Sequence, residues 1–259
     1  MEYKFIKTSF NENKAMFFKY FNSLSGIYDN FLESHILKSD LYSIYIDNNN
    51  KGYFAIYEDK LLTQFYVDIS AMKYAQSIFK DILEQYDVKG AFVPTCDELL
   101  LSLSLDFHKK VNMQAYFFEE NKNSMYEIKP PMYNRNLLRV ATEMDTPAIK
   151  ELSDNFFDTF QYSSLQNKIY ILEKNDEILG FGIIEDCNIF TEYKATGMFT
   201  VVKYRQKGVG RSIILHLRDI CHENGFKPLT GCWYHNCNSK NTLESCGYIS
   251  NTRLLNIEF

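Results

Sequence analysis

Between residues 195 and 221 the chain passes from small and β-branched residues, Ala195 to Val202, through Lys203-Tyr204-Arg205-Gln206-Lys207-Gly208-Val209-Gly210-Arg211. It then enters a segment whose apolar residues Ile213, Ile214, Leu217, Ile220 and Cys221 recur at helical spacing. A strand, a short glycine-containing loop and a helix start in that order predict an α/β arrangement with an anion site. The unpaired N–H groups of the first helical turn and the positive end of the helix dipole converge on the loop. Two glycines one residue apart let the backbone approach a diphosphate without Cβ interference, and Arg205, Lys207 and Arg211 add positive charge around it. Asn224-Gly225 reads as the end of that helix.

The segments around this motif extend the same pattern. Leu137 to Ala141 reads as a strand, and Asp145 to Phe157 as a helix with Pro147 in its first turn and Ile149, Leu152 and Phe156 on its buried face. Lys168 to Glu173 and Ile178 to Glu185 read as strands around the turn Lys174-Asn175-Asp176-Glu177, so three antiparallel strands precede the motif. After it, Pro228 to Tyr234 reads as a strand, Asn236-x-x-Ser239 opens a short helix ending at Cys246-Gly247-Tyr248, and Thr252 to Phe259 supplies a closing strand.

Upstream, Lys129-Pro130-Pro131 breaks the chain, because consecutive prolines neither extend a helix nor pair fully in a sheet, and polar Asn121 to Ser124 lies just before it. The linker is set at 128–134, giving domains 1–129 and 130–259. In the first, Leu41 to Ile46 and Gly52 to Tyr57 form a hairpin signal across Asp47 to Asn50, Leu61 to Val67 is a third strand, and Gln114 to Glu119 a terminal one. Ala71 to Tyr86 carries a helical stripe at Ala75, Ile78, Phe79, Ile82 and Leu83. Here Val67-Asp68-Ile69-Ser70-Ala71 goes from strand into helix with no glycine and no basic residue, so one diphosphate site per chain is expected.

Composition excludes several alternatives. The 259 residues, 46% hydrophobic, can fill two modest cores. No apolar run approaches the length that crosses a bilayer, and the N-terminal stretch is not a leader, so a cytoplasmic protein without membrane contact is expected. Six cysteines at irregular spacing predict reduced thiols, and Cys221, His222, Cys232, His235 and Cys237 are not spaced as a zinc knuckle, so no metal is expected. A net charge of −5 argues against a broad nucleic-acid-binding face and suits a small cationic substrate. Neither a Walker-type phosphate loop nor a dinucleotide-binding glycine fingerprint occurs.

Tyr204-Arg205-x-x-Gly208-x-Gly210 resembles the Arg/Gln-x-x-Gly-x-Gly/Ala signature of the GNAT superfamily of acyl-CoA N-acyltransferases, and Asn236-x-x-Ser239 through Gly247-Tyr248 resembles that family's later Asn-x-x-Ala…Gly-Phe block. The resemblance covers residues 134–259 well and the first half faintly. The whole chain is similar to the two-domain GNAT proteins that include the zwittermicin-resistance type of acetyltransferase. It implies an α/β (α+β) fold of tandem domains, each a mixed, mostly antiparallel sheet flanked by helices, the first degenerate.

For chemistry, the resemblance implies an acetyl-CoA-dependent N-acetyltransferase acting on a primary amine of a small molecule by direct attack on the thioester. The chain would be a monomer or homodimer, with no metal and no nucleic acid. The pantetheine arm maps onto Met198, Phe199 and Thr200, and the pyrophosphate onto Gln206, Lys207, Gly208, Val209, Gly210 and Arg211, with Asn236 and Ser239 as further cofactor contacts. Two positions depart from the family: Leu243 stands where many members carry a tyrosine acid, and Gly231 where some carry a glutamate base. The catalytic candidates are therefore Glu192 and Tyr234, with Glu185 and His235 as alternatives. A non-catalytic acyl-CoA-binding module and a protein acceptor are the competing readings.

Overall fold

The structure is a computed structural model that describes residues 2–58, 60–121, 128–154, 156 and 168–259. It divides into two compact units, Met1–Phe117 with Asn251–Phe259, and Phe118–Ser250.

In the first unit β1 (Tyr3–Thr8) leads into α1 (Lys14–Ser23) and α2 (Asn30–Leu37), then into β2 (Asp40–Ile46), β3 (Asn49–Tyr57) and β4 (Leu61–Val67), the four strands pairing antiparallel in sequence order. The β2–β3 turn is tight because Asp47 (φ 47°) and Asn48 (φ 63°) both adopt left-handed backbone, which short polar side chains tolerate better than most and which matches the strand twist. A 3-10 turn, Ile69–Tyr74, precedes α3 (Ala75–Gln85), which is shorter than the helix expected from Ala71. Then come β5 (Gly90–Pro94), α4 (Glu98–Phe107) and β6 (Lys110–Glu120), whose residues from Phe118 onward belong to the second unit. Phe54, Ile56, Leu62, Phe65 and Val67 bury against Ile78, Phe79 and Ile82 of α3. On the other face Tyr53 and Ala55 pack against Phe17 and Tyr20 of α1.

The second unit runs through β7 (Leu138–Val140), α5 (Thr146–Leu152), β8 (Lys168–Lys174), β9 (Glu177–Asp186), β10 (Tyr193–Thr200), α6 (Val209–Glu223), β11 (Lys227–Trp233) and α7 (Cys237–Ser245). Strands β7 to β10 pair antiparallel in order, and Asn175 (φ 53°) and Asp176 (φ 59°) close the β8–β9 hairpin. α5 has Pro147 in its first turn and buries Ile149; the expected end of that helix at Phe157 lies outside the described residues, as does Lys122 to Ser124 of the polar stretch before the linker.

α6 lies close against β9 because that strand presents glycines to it. A Cβ on Gly182 would stand 2.7 Å from Ile213 Cγ2 and 3.0 Å from Leu217 Cδ1. The substitution Gly182→Val is therefore expected to destabilise the chain by about 1–3 kcal/mol through overpacking, read as a lower urea midpoint; an unchanged midpoint would show that α6 shifts freely.

The last strand, β12 (Tyr248–Glu258), departs from the expected organisation. Its residues from Asn251 onward belong to the first unit, where Leu254, Leu255, Asn256, Ile257 and Glu258 pair antiparallel with Pro94 to Gly90 of β5. The stretch Thr252 to Phe259 thus completes the sheet of the first unit instead of closing the sequence-defined C-terminal domain.

Candidate functional site

The site begins with a ladder that stops. β10 and β11 run parallel, and their register holds three pairs, Tyr193↔Lys227, Lys194↔Pro228 and Ala195↔Leu229, whereas β10 continues to Thr200 and β11 to Trp233. Beyond the last pair only the Thr196 hydroxyl reaches across, donating to Leu229 O at 3.2 Å, among the contacts described. On its other edge β10 stays paired with β9 along its length, Thr200↔Gly180 included. The two strands therefore form a fork whose apex lies at Ala195 and Leu229, and one prong presents an extended edge of the kind an added strand or amide chain can use.

The open end of the fork leads to the glycine loop. Gln206 (φ 63°) and Gly208 (φ 74°) both take left-handed backbone, and Gly208 is the N-cap of α6 with no side chain to satisfy the first turn. The N–H groups at the start of this fifteen-residue helix thus point into the loop without a capping partner, together with the positive end of the dipole. Lys207 lies 5.5 Å from the Tyr204 ring centroid, and Arg211 Nε is buried with no hydrogen-bonding partner among the described residues. Arg205 Nε donates to Thr200 O at 3.4 Å, at the end of β10. Lys203 is engaged elsewhere: the Tyr204 hydroxyl and the Lys203 ammonium hold the Glu177 carboxyl below its usual range.

The two glycines have different reasons. Gly208 is set by its positive φ, and a Cβ there would meet the Met132 side chain at 2.5 Å. A Cβ on Gly210 would instead point toward β10, 2.7 Å from Met198 Sδ and 3.2 Å from Thr200 Oγ1. Gly210 therefore lets the first turn of α6 approach the prong, which brings Met198, Thr200 and the loop together.

Of the remaining sequence-derived residues, Asn236 acts as the N-cap of α7, its Oδ1 accepting from Ser239 N at 3.1 Å. Glu192 and Tyr234 are not brought together. Glu192 stands just before β10 at the closed end of the fork, its carbonyl accepting from Lys227 N and its carboxylate 4.0 Å from Lys227 Nζ. Tyr234 follows the end of β11 at the open end, its ring 5.2 Å from that of His235. Glu185 lies opposite Ala195 in the β9–β10 register, level with the fork apex. It shares a face with Ala195, Gly197 and Phe199, opposite the face of Gly180 and Gly182 that α6 covers. Leu243 is buried.

One residue at the loop escapes sequence reading. Ser212 is fully buried one turn into α6, its hydroxyl donating to Gly208 O (2.9 Å) and accepting from Met132 N (2.9 Å) and Tyr133 N (3.2 Å). His216 Nε2 contacts Tyr133 O at 2.8 Å, and Arg135 donates to His216 O at 2.8 Å, so the stretch 132–135 is strapped along the helix beside the loop. Ser212→Ala removes the acceptor for two amides and is expected to cost about 1–3 kcal/mol. Amide exchange should accelerate at Met132 and Tyr133 first; unchanged exchange there would mean the strap is held by its other contacts.

Among the described residues no group of His, Cys, Asp and Glu could hold a metal ion, no helix is long and apolar enough to cross a membrane, and all six cysteines are free thiols.

With this geometry in place, comparison with known proteins is decisive about family. A family model described as an acetyltransferase (GNAT) domain matches residues 9–121, and one described as the acetyltransferase (GNAT) family matches residues 125–248. The chain belongs to the GNAT acetyltransferase family and is built of two tandem GNAT domains. No curated protein sequence matches it. Among solved structures, a GNAT-family acetyltransferase from Colwellia psychrerythraea is similar over 100% of both chains, with a TM-score of 0.81 and 18% identity. A GCN5-related N-acetyltransferase from Sphaerobacter thermophilus is similar over 99% of this chain and 95% of its own, with a TM-score of 0.66 and 8% identity. A tandem GNAT protein of the clavulanic acid biosynthesis pathway is similar over 100% and 98%, with a TM-score of 0.61 and 11% identity. At these identities the likeness establishes the fold.

Proposed function

We propose that the second unit binds acetyl-CoA in the fork and glycine loop and transfers the acetyl group to a primary amine of a small molecule in the cytoplasm. The observation that carries this reading is the β10–β11 ladder ending at Ala195↔Leu229 directly before an uncapped helix N-terminus. The residues fit the group: Gly208 is left-handed with no side chain, the first-turn N–H groups of α6 suit a diphosphate, and the buried Arg211 Nε lacks a partner that a phosphate would supply. The edge of β10 from Thr196 to Thr200 suits the amides of the pantetheine arm.

Bound acetyl-CoA supplies the thioester carbonyl that the amine attacks. The Met198 backbone N–H, on the edge of β10 that faces the fork, stabilises negative charge developing on that carbonyl oxygen, whereas the Phe199 N–H faces β9. Glu185, level with the apex, takes the proton from the acceptor amine directly or through water, so that the neutral nitrogen forms the new bond as the carbon–sulfur bond breaks. Tyr234, at the open end of β11, is the candidate to return a proton to the departing thiolate. Glu192, beside Lys227 at the closed end, holds the base of the fork.

The direct test follows thiol release from acetyl-CoA with a panel of primary amines, each checked by mass for the acetylated product. Amine-dependent release supports the reading. Tight acetyl-CoA binding without transfer to any amine would favour a non-catalytic acyl-CoA-binding module, which the buried Leu243 at the usual position of the tyrosine acid favours.

A further inference from the structure

The first unit has a fork of its own. β4 and β5 run parallel with two register pairs, Leu61↔Gly90 and Leu62↔Ala91, and then part, aided by a bulge that inserts Thr63 into β4. The loop leaving this fork cannot take a diphosphate as the second unit's loop can. The Asp68 carboxylate occupies the start of the following 3-10 turn, accepting from Ser70 N (3.1 Å) and from Lys19 Nζ (2.5 Å).

What the fork holds instead is a set of buried polar groups. Tyr53 pairs with Tyr66, and Ala55 with Gln64, across β3 and β4, so these four share one face. α1 covers that face with Phe17 and Tyr20, and Asp97 follows β5 on the other prong. Asp97 caps α4 through Oδ1, which accepts from Leu100 N at 3.0 Å. Among the described residues the Tyr53 hydroxyl and both ends of the Gln64 amide are buried without a hydrogen-bonding partner, and Asp97 Oδ2 is buried with no neighbour but the Tyr20 hydroxyl, which interacts with it. No Lys, Arg or His pairs with Asp97 among the described residues. Leaving one such group unpaired is costly, and native interiors leave few, so several converging from four elements of one face point to a guest.

From this convergence we infer that the first unit holds a buried binding site for a small primary ammonium ion, with Asp97 as its counter-ion, Gln64 and Tyr53 as hydrogen-bonding partners, and the rings of Phe17, Tyr20 and Tyr66 as its walls. The rings of this face pack against one another, with Phe17 and Tyr53 centroids 4.4 Å apart, Tyr20 and Tyr53 5.9 Å, and Tyr20 and Tyr66 6.2 Å, so the polar groups sit in an aromatic setting. Aromatic faces attract a desolvated cation, and an ammonium donates to the three acceptors present. Burial pushes the Asp97 carboxyl up to about 6, as expected of a carboxyl held away from water with no cation beside it. The Gln64 amide N–H groups call in turn for an acceptor on the guest, such as a hydroxyl. The site uses only the first unit and is independent of acetyl transfer in the second.

Ethanolammonium chloride and its neutral analogue ethylene glycol test this by calorimetric titration of the full chain. Expected are saturable binding of ethanolammonium but not of the glycol, unchanged binding in a Gly208→Glu, Gly210→Glu chain, and at least tenfold weaker binding in Asp97→Asn and in Tyr53→Phe. Asparagine keeps the α4 cap and phenylalanine the ring, so both are checked for an unchanged fold by circular dichroism, and Tyr53→Phe alone decides if Asp97→Asn fails to fold. No saturable binding, equal binding of the glycol, or binding indifferent to both substitutions overturns the inference.

Discussion

A chain carrying Gly208→Glu and Gly210→Glu is expected to lose acetyl-CoA binding by at least about a hundredfold, roughly 2.7 kcal/mol, while remaining folded. Two effects act at Gly208: at φ 74° any Cβ costs about 1–2 kcal/mol, and the side chain displaces Met132. At Gly210 the new Cβ presses on Met198 and Thr200 and so on the prong itself. Carboxylates in the first turn of α6 are nevertheless favourable to the helix dipole, by about 0.3–1 kcal/mol each, which offsets part of that strain. The same charges stand where a diphosphate is proposed to sit. The pair Gly208→Ala, Gly210→Ala separates the causes, since it imposes strain without charge and should weaken binding far less. Equal losses in both pairs would mean that shape alone governs the loop.

The second large effect concerns proton transfer. Glu185→Gln is expected to lower kcat/KM for the acceptor by roughly 10²–10⁴-fold, the usual worth of a positioned general base, with little change in acetyl-CoA affinity. The fall in rate on the acid side of the pH profile should flatten as well, because that limb reports protonation of the base. Glu192→Gln should leave the rate nearly unchanged, its exposed pairing with Lys227 contributing little. If Glu192→Gln is the damaging substitution, the base lies at the closed end of the fork and the assignment to Glu185 is wrong.

The parts of this molecule legible in sequence are those whose cause is local. Asp47-Asn48 and Asn175-Asp176 announce their turns because short polar residues tolerate left-handed backbone, and the stripe from Ile213 to Cys221 announces α6 because its period is helical. The glycine loop is legible for the same reason. β1, α1, α2, β5 and α4 carry no clear local signal in the sequence. Gly90–Pro94 is a five-residue apolar run with no alternation, and Lys14–Ser23 and Asn30–Leu37 mix polar and aromatic residues without a clean stripe. Partner choice was less legible still, since whether Leu254 to Glu258 pairs within its own domain or with β5 depends on contacts far away in sequence. The forks belong to this class too: a parallel ladder that stops after two or three residues leaves no period in the chain. Ser212 leaves one faint sign, a polar residue four positions after Gly208 on the buried face of α6, which it shares with His216. Gln64 likewise interrupts the apolar run of β4.

The claim at the centre of this account, one cofactor site per chain in the fork and loop of the second unit, is tested most directly by hydrogen exchange of the whole chain with and without acetyl-CoA. Protection confined to residues 196–200 and 206–212, with none at 67–71 where Asp68 fills the turn, is the predicted result. Protection at 67–71, or no change at 206–212 under saturating acetyl-CoA, would contradict it.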